Sequence, residues 1–188
     1  MLKNLIFASI LKKTLICYIL IIGDIMKNMR RNIILNMIKL SLVAGSYFVL
    51  TILIAPLSYG EIQIRFAEVL LILCVFDKRY GIALIIGCAL ANIISPFGVI
   101  DVVFGTMQTA VAVMLIGYLR PVWLSLIMAT FSMVIIGVEI AYMTDINMWW
   151  LLSLQVMAGE AIVLFIIAYP LSFVLRKSTV FMNLIKLT

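Results

Sequence analysis

Long apolar runs alternate with brief polar interruptions along almost the whole chain. None shows the strict period-two alternation of a barrel strand. The runs extend from about Ile33 or Ile38 to Leu57, Phe66 to Phe76, Gly81 to Ile94, Asp101 to Leu119, Val122 to Met143 and Trp149 to Leu175. A bilayer core of about 30 Å takes roughly 20 helical residues to cross, and backbone groups in lipid must be satisfied within the segment. The pattern therefore predicts an all-α integral membrane protein, a compact bundle of six transmembrane helices. The second and third runs are short, which implies tilt, a local break or shelter by neighbouring helices.

Composition strengthens this reading. Of 188 residues, 66% are hydrophobic and 12% charged, and the mean hydropathy is +1.27, whereas roughly a quarter of a soluble domain is charged. The net charge of +6 is assigned to loops on one side of the membrane rather than to nucleic-acid binding. Lys78, Arg79, Arg120, Arg176, Lys177 and Lys186 fall, with the basic amino end, on one side of the alternation, and Arg65 is the single basic residue of the opposite loops. The positive-inside rule thus predicts a multi-pass cell-membrane protein with both termini cytoplasmic and the loops around Glu61, Phe97 and Asp145 outside. Residues 1–25 are read as an extension, either an interfacial segment or sequence ahead of the true start, and residues 26–188 as one membrane domain.

The chain has no histidine, which excludes histidine triads and the common zinc sites, and it carries no phosphate-binding GxxxxGK loop. No metal site is expected. Cys17, Cys74 and Cys88 lie in apolar surroundings and read as small buried hydrophobes.

Against this background the polar residues stand out. PLSYGEIQIRFAE, residues 56–68, places Glu61, Gln63, Arg65 and Glu68 between two apolar runs. It reads as an outward loop, with Tyr59, Gly60 and Glu61 as a lid tip and Arg65 paired with Glu68 at its base. Ionisable groups at membrane depth face a cavity or a partner. Glu160 lies near the middle of the last run and Glu139 towards the outer end of the fifth. Asp101, Gly105 and Gln108 share one helical face by their i, i+4, i+7 spacing; Asp101 is either a ligand carboxylate or an N-cap. Asn92 and Gln155 offer amides at comparable depth, either to a ligand or to another helix. Phe97 joins Tyr59, Trp149 and Trp150 among aromatics that stack on a heterocycle or form an interfacial belt. Ser41 and Gly45, with Ala44 beside them, have small-xxx-small spacing for close helix approach, within the bundle or to a separate membrane subunit. Together these describe an outward-opening acidic pocket suited to a neutral or cationic ring compound.

PLSYGEIQIRFAEVL, NIISPFGVIDVVFGTMQT and the Gly159–Glu160 pair resemble the QueT family, substrate-binding S components of energy-coupling-factor (ECF) transporters associated with queuosine precursors. The likeness covers about Met29 to Arg176. It implies a non-enzymatic, six-helix subunit that captures a 7-deazaguanine such as pre-queuosine, or queuine, from outside. It also implies partners: a transmembrane coupling subunit docked near Ser41, Ala44 and Gly45, and two ATPase subunits that hydrolyse the ATP, so this chain needs no cofactor. With that substrate, Glu160 is expected on the ring N–H edge, Asp101 or Glu139 on an aminomethyl cation, and Gln108 on a carbonyl or ring nitrogen. The alternatives are an S component for another vitamin-like substrate, or a membrane scaffold or assembly protein that retains no small molecule.

Overall fold

A computed structural model describes residues 29–59, 63–119 and 121–187. The extension 1–25, Gly60 and Glu61 of the expected lid tip, and Arg120 lie outside the described residues. The chain divides into two units. Among the described residues the first holds residues 29–38, all helical, and the second is Lys39–Leu187.

The described residues contain helices and no strand. Helix α1 covers Met29–Leu53, and a short α2, Ala55–Ser58, follows. After the polar loop a 3-10 helix, Phe66–Ile72, runs into α3, Leu73–Phe76. Next come α4, Tyr80–Asn92, and α5, Val99–Tyr118. Helices α6, Val122–Phe131, and α7, Val134–Thr144, are two halves of one apolar stretch. The last stretch is α8, Trp149–Ala161, a π-helical segment, Ile162–Ala168, and α9, Tyr169–Lys177, before a terminal α10, Thr179–Ile185.

Among the described residues four helical stretches are long and apolar enough to cross a membrane: Met29–Leu53, Val99–Tyr118, Val122–Thr144 and Trp149–Lys177. The protein is thus a multi-pass, all-helical membrane protein. The other two expected spans, Phe66–Phe76 and Tyr80–Asn92, are apolar helices of sub-spanning length. At about 1.5 Å per residue the 13 residues of α4 rise only about 20 Å.

Two of the long stretches are interrupted where the sequence offers a cause. Between α6 and α7, Thr130 Oγ1 donates to the Leu126 carbonyl at 3.0 Å and Ser132 Oγ to that of Ala129 at 2.5 Å. Such back-bonding competes with the helical ladder and bends it. The π-helical segment ends just before Pro170, which has no N–H to offer the preceding turn.

The core of the larger unit is aliphatic, with Leu71, Leu84, Leu126 and Leu164 fully buried. Small residues bring backbones together: a Cβ on Gly87 of α4 would lie 2.8 Å from the Ala44 carbonyl of α1. Basic side chains collect at one end of this unit. Lys39 Nζ donates to the Lys186 carbonyl at 2.9 Å, Arg79 Nη2 donates to that of Leu187, and Arg176 stacks 5.9 Å over the Phe76 ring. The start of α5 and the end of α4 lie at the other end, and there the polar residues are buried.

Candidate functional site

The polar loop does not stay outside the bundle. Ile64 N–H donates to the Leu57 carbonyl at 2.9 Å, and Gln63 takes φ 42°, a left-handed conformation uncommon outside glycine. This turn delivers Arg65 in extended conformation at the head of the 3-10 helix. Arg65 caps the helix and Glu68 lies in its first turn. Both point inward, at 3% and 0% exposure. The expected lid base is therefore part of the core of the site. Arg65 and Glu68 form no ion pair; the only salt bridge among the described residues is Arg79–Asp77. Glu68 instead accepts the Tyr47 hydroxyl of α1 at 2.6 Å.

Helix α4 faces this pair with Cys88 and Asn92, one turn apart. Cys88 Sγ lies 3.9 Å from Arg65 Nη1, 3.4 Å from Asn92 Nδ2 and 3.1 Å from Thr109 Oγ1. A thiol among three donors is not the inert hydrophobe its apolar neighbours in sequence imply. Asn92 Nδ2 also donates to the Asp101 carbonyl at 3.0 Å, joining the end of α4 to the start of α5. Tyr59 closes the loop side: its hydroxyl donates to the Ala91 carbonyl at 2.6 Å, and the Arg65 guanidinium lies 5.8 Å from its ring centroid.

Helix α5 presents Asp101, Gly105, Gln108 and Thr109, all buried, on one face as the spacing predicts. Asp101 is no N-cap. Gly98 occupies that position at φ 60°, ψ −121°, where a side chain is strained, and places Asp101 inside the first turn. Gly105 is required by space: a Cβ there would run into Asn92 Nδ2 and come within 3.6 Å of Arg65 Nη1. Gln108 is engaged at both ends, donating from Nε2 to Ser132 Oγ at 3.2 Å and accepting from Thr109 Oγ1 at 3.3 Å.

Two further carboxyls complete the group. Glu139 of α7, 2% exposed, faces the carboxyl of Asp101 within the field of Arg65. Glu160 of α8, 1% exposed, lies within the fields of Glu68 and Arg65. Glu68, Glu139 and Glu160 are thus buried within the electrostatic reach of one guanidinium, with Asp101 beside Glu139. Among the described residues, both oxygens of Glu139 and of Glu160, Oε2 of Glu68, Oδ1 of Asn92 and Nε of Arg65 are buried without a hydrogen-bond partner. Unpaired buried charges cost several kcal/mol, and native structures pair their buried polar groups. The arrangement can accept several N–H donors at its carboxylates while donating from Arg65 to one acceptor. Among the described residues no three His, Cys, Asp or Glu are grouped to hold a metal ion.

The remaining expected residues lie elsewhere. Gln155 is half-buried and, five residues before Glu160 at about 100° per residue, occupies a different face of α8. Phe97 packs on a separate apolar cluster of Met133, Ile136, Ile140 and Val156. Ser41 and Gly45 are exposed on α1 and line a shallow groove with Leu42 and Val49. Ala44, expected beside them, faces the other way against Gly87. The sequence reading missed Tyr47, Cys88, Thr109 and Ser132. Their periodicity was available: Cys88 and Asn92 are four apart, as are Gly105 and Thr109, but nothing in a single chain says which helices meet.

The sequence model described as the QueT transporter matches residues 37–177, well over half of the chain. The curated "Queuosine precursor transporter QueT" of Lactococcus lactis subsp. cremoris (strain MG1363) is 35% identical over 85 residues, 44% of this chain and 50% of that protein. The match thus spans about half the length of that relative. No solved structure matches the chain. The matched region contains every element of the polar cluster, from Tyr47 on α1 to Glu160 on α8, and on the extent of that match the chain belongs to the QueT transporter family.

Proposed function

We propose that this protein is the substrate-binding S component of an ECF transporter, capturing a queuosine precursor of the 7-deazaguanine class from outside the cell. Uptake is then driven by a membrane coupling subunit and two ATPases. The observation that carries this reading is the buried group of carboxyls whose oxygens lack protein partners. A 7-deazaguanine offers what they lack: a ring N–H beside an exocyclic amine, a donor pair that one carboxylate accepts in parallel. Glu160 takes that edge, and the facing pair Asp101 and Glu139 takes an aminomethyl cation. The name of the Lactococcus relative agrees with this substrate class.

Orientation follows the same logic. The basic end, with Lys39, Arg79 and Lys186, is cytoplasmic by the positive-inside rule, which sets the polar cluster towards the outer leaflet. The exposed Ser41 and Gly45, with open space where a Gly45 Cβ would stand, suit close approach of a coupling-subunit helix. The deciding experiment is mass spectrometry of the compound retained by the full chain through mild detergent purification, with calorimetric titration of 7-deazaguanines and a panel of vitamins. A retained or tightly bound 7-deazaguanine is expected. Tight binding of a different vitamin would replace the substrate and keep the transporter reading, and no small-molecule binding at all would end it.

A further inference from the structure

We infer that Arg65 is a direct substrate contact: a guanidinium that donates to the ring carbonyl of a lactam-bearing heterocycle, while neighbouring carboxylates take the adjacent N–H groups. This rests on the reading of the protein as a binder of 7-deazaguanine-type rings and assigns one more group to that site.

The argument starts from which donors are free. A carbonyl oxygen placed beside these buried carboxyls is repelled by any that is ionised and needs a donor. The neighbouring amides and hydroxyl are already partly engaged, and none of them carries a charge. Gln108 Nε2 gives one of its two N–H groups to Ser132, Asn92 Nδ2 contacts both the Asp101 carbonyl and Cys88, and the single Thr109 hydroxyl hydrogen lies between Cys88 and Gln108. Arg65 has five N–H donors. Its one hydrogen-bond contact among the described residues is the long one to the Cys88 sulfur at 3.9 Å, and Nε has none.

The surroundings hold the guanidinium in place for this task. The Tyr59 ring lies 5.8 Å away on one side, and Gly105, by having no Cβ, leaves room beside Nη1. The turn at Gln63, φ 42°, directs the side chain inward, an uncommon backbone conformation placed two residues before the group that needs it. Asn92 Oδ1, buried and unpartnered, adds an acceptor near the same point. Arginine at the centre with acceptors around it reads a ring edge that alternates acceptor and donor, as a lactam does.

The test compares two rings that differ at that one atom: 7-deazaguanine and its 6-thioxo analogue, which keeps the ring N–H and the amine but replaces the carbonyl oxygen with a weaker acceptor. The full-length protein should prefer the oxo ring by about fivefold or more. Arg65→Met should lower affinity for the oxo ring on the order of 10- to 100-fold, the worth of a hydrogen bond to a charged group. It should lower that for the thioxo ring less, so that the preference falls to within twofold. Arg65→Lys, which keeps a charged donor, should retain part of the preference. Equal losses for both rings, or oxo binding by Arg65→Met within twofold of wild type, would overturn the inference and assign Arg65 a structural role. If neither variant purifies folded, the wild-type pair decides, since equal affinity for the two rings overturns it as well. A wild-type protein that binds neither ring fails earlier, at the substrate class itself, and that result is distinct from equal losses in the variants.

Discussion

Arg79 lies half-exposed against Asp77, with Nη2 to Oδ2 at 2.8 Å and Nε to both carboxylate oxygens at 3.1 Å. Arg65, by contrast, is 3% exposed in the same buried cluster as Glu68, Glu139 and Glu160 and has none of them within ion-pair distance. Where water would solvate both partners in any case, the chain closes the pair, which on a surface is worth about 0–1 kcal/mol. Where burial would make pairing strongly favourable, the chain holds the groups apart. Stability explains the first arrangement and argues against the second, because an uncompensated buried charge is among the costliest features a fold can carry. Natural proteins keep such costs where function needs them. The difference separates a strap at the basic end from a recognition site at the other.

The sharpest way to break this comparison is at Glu160, whose two oxygens have no protein partner. Glu160→Gln presents an N–H where the ligand also presents one. We expect 7-deazaguanine affinity to fall on the order of 10- to 100-fold, measured by titration calorimetry. Melting of the ligand-free protein should be unchanged or higher, since a buried ionisable group is replaced by a neutral one at no loss of a partner among the described residues. Affinity within twofold of wild type would remove Glu160 from the site and leave it a structural carboxyl.

The fold was legible because membrane helices declare themselves by length and apolarity. The positions of the long stretches, and the shared face of Asp101, Gly105 and Gln108, followed from period alone. The site was legible only in part. Glu160, Glu139 and Asn92 stood out as polar groups at depth, but Arg65 and Glu68 sat beside a proline- and glycine-bearing loop, where charge ordinarily means solvent. Recognising them as buried required the turn at Gln63 and the 3-10 helix that follows Arg65, and nothing in FAEVLLI distinguishes three residues per turn from 3.6. Tyr47 was hidden for a different reason. An aromatic on a spanning helix is ordinarily lipid-facing or packed, and its hydroxyl's partner lies 21 residues away. The breaks at Ser132 and before Pro170 were written in the sequence, but the lengths of the apolar runs concealed them.

Tyr47 sharpens the comparison from inside the cluster. Its hydroxyl is the one hydrogen-bond partner of the Glu68 carboxyl among the described residues, at 2.6 Å with both residues at 0% exposure. Tyr47→Phe leaves both Glu68 oxygens unpartnered and should destabilise the protein by about 1–3 kcal/mol. This would be read as a lowered melting temperature in detergent, with ligand affinity changed less than by Glu160→Gln. A larger loss of affinity than of stability would move Glu68 from a supported to a ligand-contacting role.

The smallest effect belongs to the strap. Asp77→Asn is the cleaner substitution there, because Arg79 also donates to the Leu187 carbonyl. It should cost less than about 1 kcal/mol at neutral pH. Partial burial raises the Asp77 carboxyl, but the hydrogen bonds from Arg79 outweigh it and hold the group below its ordinary value of 3.8. A carboxyl depressed in the folded state contributes stability that is present above its unfolded value and lost as pH falls through the folded one. The small gap in melting temperature between wild type and Asp77→Asn should therefore persist from neutral pH down to about 4 and close below it. A gap that survives at lower pH would mean that the Asp77 side chain acts by packing, and the contrast with Arg65 would then rest on burial alone, without the ion pair.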